Sequence, residues 1–219
     1  QAISGQEGFG IRTWIGAIML DGVARKAIEP VLDRIGKALA RAGITANAVS
    51  VTGFLIGLAA AVAIISGWYY SGASLILLSR LCDGLDGVVA RQTGATDFGG
   101  YLDIVLDFAF YGMIPVAFAI VYPDGNALAA AVLVLSFYVN GASFLAFAIL
   151  AEKRKLDDAP RGKKSIFFTT GLAEATETLA VFLLACVKPD WFPALAYGFA
   201  AICIWTAGNR ILEAKSRFG

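Results

Sequence analysis

Six predominantly apolar stretches, each about 20 residues long, limit this chain to one class of fold. They run approximately over 47–68, 72–91, 100–121, 127–150, 167–187 and 191–211. At about 1.5 Å per residue, such a stretch crosses a hydrocarbon layer about 30 Å thick as an α-helix. Within that layer every backbone N–H and C=O must be satisfied without water, which a helix does inside its own segment. Composition agrees: 58% of the residues are hydrophobic and 16% charged, unlike an ordinary soluble domain. The expected fold is an all-α membrane protein of six transmembrane helices, preceded by an N-terminal amphipathic interfacial helix.

Three regions follow from the pattern. Residues 1–18 are Gly-rich and lack the basic n-region and small-residue cleavage site of a signal peptide. They are expected to be disordered or foreign to the natural protein, with Met19 a candidate start. Residues 19–43 form an amphipathic juxtamembrane helix. Val23, Ala27, Val31, Ile35, Ala38 and Leu39 recur at helical spacing, and Arg25, Lys26, Arg34, Lys37 and Arg41 fill the polar positions. A basic helix of this kind lies on an anionic membrane surface. Gly43 ends it, Thr45 or Asn47 caps the next helix, and residues 44–219 make up the six-helix domain.

Charge in the connections alternates. The loops 67–72, 122–126 and 187–192 carry one basic residue, Lys188, whereas the opposite side carries the juxtamembrane helix, Arg91, Lys153, Arg154, Lys155, Arg161, Lys163 and Lys164, and the tail residues Arg210, Lys215 and Arg217. The positive-inside rule then places both termini in the cytoplasm, with Arg91 and the Asp103 end of the third span at that face. The net charge of +1 gives no support to a nucleic-acid partner. Cys82, Cys186 and Cys203 sit in apolar stretches at unrelated spacings and read as buried small residues rather than a disulfide framework. Gly53 and Gly57 have the small-xxx-small spacing suited to close helix packing.

Against this apolar background stand four carboxylates. Asp83 and Asp86 are spaced i, i+3, and Asp103 and Asp107 i, i+4, so each pair shares a helix face. An uncompensated carboxylate at membrane depth costs about 2.5–3.5 kcal/mol on insertion scales. No basic residue lies between the members of either pair, which calls for an external cation. Oxygen ligands suit Mg²⁺, Mn²⁺ or Ca²⁺. The chain contains no histidine, so the usual transition-metal ligand and the usual general base are both missing.

In order and spacing, Asp83, Asp86, Gly87, Ala90, Arg91, Gly99, Asp103 and Asp107 resemble the signature of the CDP-alcohol phosphatidyltransferases, D-x-x-D-G-x-x-A-R followed by G-x-x-x-D-x-x-x-D. Every fixed position is present; the spacer 92–98 is one residue shorter than usual. The chain looks most like a bacterial inner-membrane branch of that family. The resemblance implies a multi-pass enzyme with its site toward the cytoplasm. Such an enzyme transfers a phosphatidyl group from a CDP-diacylglycerol-type lipid to an alcohol and releases CMP, using two Mg²⁺ or Mn²⁺ ions, usually as a homodimer. By the same resemblance Asp83, Asp86, Asp103 and Asp107 are the metal residues, and Asp107 is the general base. Gly87, Ala90, Arg91, Thr96, Gly99 and the loop Thr45-Ala46-Asn47-Ala48 hold the donor, with Ala46 standing where the family carries proline.

Further polar residues remain open. Arg80 precedes Asp83 by one turn and could pair with it; because a cation there would weaken metal binding, it is expected instead to point away, to the interface or a partner helix. Glu174 and Glu177 either hydrogen-bond to Thr176, Thr178 or another helix, or line the acceptor pocket. Asn140 and Ser143 read as interhelical hydrogen-bonders. The loop carrying Lys163 and Lys164 serves topology, or recognises a phosphate-bearing acceptor or an anionic headgroup. Two other classes compete with the enzyme: a cation transporter or channel with an acidic intramembrane site, and a catalytically idle scaffold of the same fold. The first needs a complete polar path, and the second would be expected to have lost a signature aspartate.

Overall fold

Residues 22–154 and 175–219 are described by the structure, a computed structural model, with side chains from residue 30 onward. Over those residues the chain forms seven α-helices and no strand. They are α1 (Gly22–Arg41), α2 (Ala46–Ile65), α3 (Tyr69–Thr93), α4 (Asp97–Val121), α5 (Pro123–Lys153), α6 (Ala175–Val187) and α7 (Phe192–Phe218), with a 3₁₀ turn at Pro189–Trp191. The segment 1–18, Lys155, Arg161, Lys163, Lys164 and Glu174 lie outside the described residues, as do the side chains of Val23, Arg25, Lys26 and Ala27.

Local chemistry sets the helix ends. Gly43 and Gly67 adopt φ +78°, a left-handed conformation available to glycine without steric cost, and so stop α1 and α2. Thr45 caps α2, its Oγ accepting the Ala48 N–H at 3.2 Å. Pro123 opens α5, where its missing N–H costs nothing.

α2, α4, α5 and the stretch Pro189–Phe218 are each long and apolar enough to cross a membrane. α6 is apolar over its 13 described residues. α3 has ample length at 25 residues, but Arg80, Asp83, Asp86 and Arg91 make it more polar than the others. Leu55, Val62, Leu128 and Leu135 are more than half exposed. Such an apolar surface is a liability in water and ordinary in lipid.

Where α4, α5, α6 and α7 meet, the core is aromatic. Phe118 stacks on Phe192 with ring centroids 4.6 Å apart, and Phe182 packs among Phe110, Tyr111 and Phe137. Cys186 and Cys203 are buried in this region as small apolar residues. Arg154 at the end of α5 donates to the carbonyls of Arg217 and Phe218 at the end of α7. The basic ends of these two helices therefore share one end of the bundle.

α1 packs on α3. A Cβ on Gly36 would stand 2.5 Å from Val88 Cγ1, and Leu32 lies opposite Gly84. Val31 and Ile35 stay exposed, at 55% and 43%. One stripe of α1 is thus held by the bundle while the neighbouring apolar stripe stays exposed.

Candidate active site

The acidic residues meet because of the turn between α3 and α4. Gly94, at φ +97°, ends α3, and Thr96 caps α4 by accepting the Gly99 N–H at 3.1 Å. The two helices leave this turn in opposite chain directions. Asp83 and Asp107 are equally far along the chain from Ala95, and Asp86 and Asp103 nearly so. At helical rise, Asp83 and Asp107 lie roughly 18 Å along their helices from the turn, with Asp86 and Asp103 roughly 12–14 Å from it. Spacing in sequence has become level with level in space.

One oxygen each of Asp83, Asp103 and Asp107 lies within 4.8 Å of the other two, and all three residues are half-buried. Asp86 is buried on the side facing α2, where Ser50 Oγ donates to its Oδ2 at 2.5 Å. α2 closes the cleft between α3 and α4 with Ser50, Gly53 and Phe54. Its glycines permit the approach: a Cβ on Gly53 would stand 2.9 Å from Cys82 Cβ, and one on Gly57 would stand 2.6 Å from the Phe110 ring. Ser79 Oγ donates to the Gly53 carbonyl at 2.7 Å and locks the register of α2 on α3.

Arg80 does not point away, contrary to the expectation from sequence. Its Nη1 donates to Asp107 Oδ1 at 2.6 Å and lies 3.4 Å from Asp83 Oδ1. The guanidinium sits over the Phe110 ring, 3.8 Å from its centroid, and 5.5 Å from that of Tyr111. Left unpaired at membrane depth, the guanidinium would carry a cost that these carboxylates relieve. At i, i+3 from Asp83, the cheapest partners are carboxylates on its own face.

Three carboxylates converging from two helices, with oxygen as the only donor atom, fit a hard divalent cation. Arg80 compensates part of their charge through Asp107 and Asp83. Among the donor-side residues, Gly87 leaves open space: a Cβ there would meet only the Arg91 guanidinium, at 3.6 Å. Arg91 is exposed at the end of α3, whereas Ala90 is buried against the protein. Thr45 and Thr96 each accept a backbone N–H as helix caps, and the hydroxyl hydrogen of each is left to donate. Asn47 and Ala46 are half-buried and Ala48 exposed at the start of α2. Glu177 stands exposed in the first turn of α6.

The model of the CDP-alcohol phosphatidyltransferase family matches residues 43–207. The chain belongs to the CDP-alcohol phosphatidyltransferase family. It is 42% identical over 193 residues to the inner membrane protein YnjF of Escherichia coli K12, covering 88% of this chain and 94% of that one. It is also 40% identical over 93 residues to the archaetidylinositol phosphate synthase of Methanothermobacter thermautotrophicus, covering 42% and 44% of the two chains. A third relative is the CDP-diacylglycerol–serine O-phosphatidyltransferase of Methanocaldococcus jannaschii, 40% identical over 82 residues, or 36% and 40% of the two chains. The matched residues 43–207 include the whole acidic cleft.

Sequence reasoning did not find Ser50. Its signal was a lone hydroxyl one turn past the Thr45 cap, on the face of α2 that also carries Gly53 and Gly57. Nor did it place Arg210, grouped with the basic tail. Arg210 Nη1 donates to the carbonyl and Oδ1 of Asn140, both at 3.0 Å, and to Ser143 Oγ at 2.7 Å. Asn140 and Ser143 are interhelical hydrogen-bonders, as expected, with an arginine of α7 as the donor.

Proposed function

We propose that this protein transfers a phosphatidyl group from a CDP-diacylglycerol-type lipid to an alcohol, releasing CMP. The observation that carries the reading is the convergence of Asp83, Asp103 and Asp107 at one level of the cleft, within a chain of this family. With Asp86 they would hold two divalent ions, Mg²⁺ or Mn²⁺. Such ions, when bound, neutralise pyrophosphate charge and stabilise the departing phosphate.

The chain's own residues supply the rest. Asp107 takes the proton from the acceptor hydroxyl as that oxygen bonds to the lipid-bearing phosphorus. The bond from phosphorus to the CMP oxygen breaks, and CMP leaves with the electron pair. Ser50 orients Asp86. Arg91, exposed at the mouth, donates to donor phosphate. Gly87 keeps backbone open to the nucleotide, with the hydroxyls of Thr45 and Thr96 at the two helix starts flanking it; Gly99 is buried, its N–H held by the Thr96 cap. Ala46, Asn47 and Ala48 form the adjoining wall, and Ala90 keeps α3 slim enough for that wall to close.

The topology that suits this chemistry has α2 to α7 as six crossings, with both termini and the turn between α3 and α4 in the cytoplasm. Its support is the shared basic end of α5 and α7, together with α1 and Arg91. A homodimer remains the expected assembly. The decisive experiment is CMP release from CDP-diacylglycerol by purified protein in lipid nanodiscs with Mg²⁺ or Mn²⁺, across a panel of alcohols. Removing the metal with EDTA should abolish release, and restoring Mg²⁺ or Mn²⁺ should return it. Metal-independent release, or none with any acceptor, would contradict the proposal.

A further inference from the structure

Arg80 is a cation built into an acidic cleft that the reaction would fill with other cations. Its placement does not depend on the carboxylates alone. The guanidinium lies on the Phe110 face and beside Tyr111, both on α4, contacts that favour a desolvated cation. Its Nη2 also reaches Ser79 Oγ at 3.3 Å, and its side chain is 10% exposed. From that seat it touches Asp107 on α4 and Asp83 on α3, two of the three carboxylates close enough to share an ion. A fixed guanidinium held this way is rigid in a way a flexible ammonium is not.

We infer that Arg80 is a positioning residue that holds the Asp107 carboxylate in place and competes with divalent cations for the acidic cluster. The inference rests on the metal-dependent transfer proposed above. Two effects follow. Asp107 keeps one oxygen engaged and its orientation fixed, so the base is aimed before substrate arrives. Meanwhile the nearby positive charge weakens cation binding to the empty-handed cluster. The diphosphate of the donor adds negative charge and offsets that penalty, so cation and donor bind more tightly together than apart.

Direct Mn²⁺ binding, followed by electron paramagnetic resonance on the full chain in nanodiscs with and without CDP, separates these effects from turnover. In wild type, CDP should tighten Mn²⁺ binding. In Arg80→Gln, Mn²⁺ should bind about tenfold tighter without CDP, the gain from CDP should shrink, and kcat at saturating Mn²⁺ should fall more than donor KM rises. Arg80→Lys keeps the charge but loses the planar fork, so Mn²⁺ affinity should stay near wild type while kcat falls. That split decides the matter even if Arg80→Gln does not fold, and an Arg80→Lys enzyme with unchanged kcat would overturn the positioning role. A folded Arg80→Gln with unaltered or weaker Mn²⁺ binding would overturn the competition alone. Absence of Mn²⁺ binding in wild type, even with CDP, would overturn the metal reading and the competition with it.

Discussion

Where α2 meets α3 and α4, the contact is made by glycine, serine and charge; where α4, α5, α6 and α7 meet, it is made by phenylalanine. Gly53 and Gly57 bring α2 so near that a single added Cβ would collide with Cys82 or Phe110. That closeness fixes three backbones around a cleft whose walls can be polar, because Ser50, Ser79 and Arg80 answer the buried acceptors. The aromatic half is filled by rings instead. Phe118 and Phe192 stack at 4.6 Å, and large rings in close contact fix neighbouring helices through area rather than hydrogen bonds. The comparison teaches a division of labour: one half carries chemistry, the other holds its scaffold. Phe110 belongs to both, with one face under Arg80 and an edge toward Phe182.

If the division is real, substitutions in the two halves should fail in different assays. The largest effect is expected from Asp107→Asn. Loss of the general base should lower kcat at saturating Mn²⁺ by about 10²–10⁴, a larger drop than the loss of Mn²⁺ affinity, since the amide keeps one oxygen for the ion and for Arg80. Asp86→Asn should lose metal affinity as well. Normal turnover by Asp107→Asn would remove Asp107 from the role of base.

The converse case is Phe192→Ala, remote from the carboxylates. Truncating this buried ring should cost about 3–5 kcal/mol of stability, read as a lower melting temperature. Mn²⁺ affinity per folded molecule should not change; if it does, the two halves are coupled and the division fails.

Ser50→Ala is next. It leaves a buried Asp86 oxygen without its donor, at a cost of about 1.5–3 kcal/mol for a hydrogen bond to a charged group. Titration with Mn²⁺ should show the loss as weakened affinity, with melting altered less than in Phe192→Ala. Arg91→Ala should act more gently, because Arg91 is exposed and water screens its charge. A several-fold rise in donor KM with acceptor KM unchanged is the expected pattern, and a shifted acceptor KM would reassign it.

The smallest effect concerns Lys163 and Lys164, outside the described residues. If they recognise a phosphate-bearing acceptor, neutralising both should raise its KM modestly. The rise should fade at high salt, as exposed charges are screened beyond about 8 Å at physiological ionic strength. Normal kinetics with poor membrane insertion would leave the loop a topological role and favour a neutral alcohol.

Much of the site was legible before any coordinates. Asp83, Asp86, Asp103 and Asp107 announce themselves because carboxylates are costly in an apolar stretch and sit at helical spacing. Helix ends were legible at Gly43 and Thr45, where turn and cap chemistry is local. The juxtamembrane helix was legible as amphipathic, but its seat on α3 was not: Gly36 against Val88 is a long-range contact that periodicity does not encode. Arg80 follows the same rule: periodicity shows Asp83 one turn away, but not Asp107 on α4 or the Phe110 face beneath the guanidinium.

The sequence by itself determined the all-helical membrane class, the positions of the apolar helices and the identity of the acidic residues. Those follow from hydrophobicity, helical period and local capping, which act within a few residues of chain. Only the tertiary structure decided that Asp83 stands level with Asp107, that Ser50 serves Asp86, and that Arg80 belongs to the acidic cleft. Each of those depends on how closely α2, α3 and α4 approach, and that distance is set by the fit of side chains far apart in sequence.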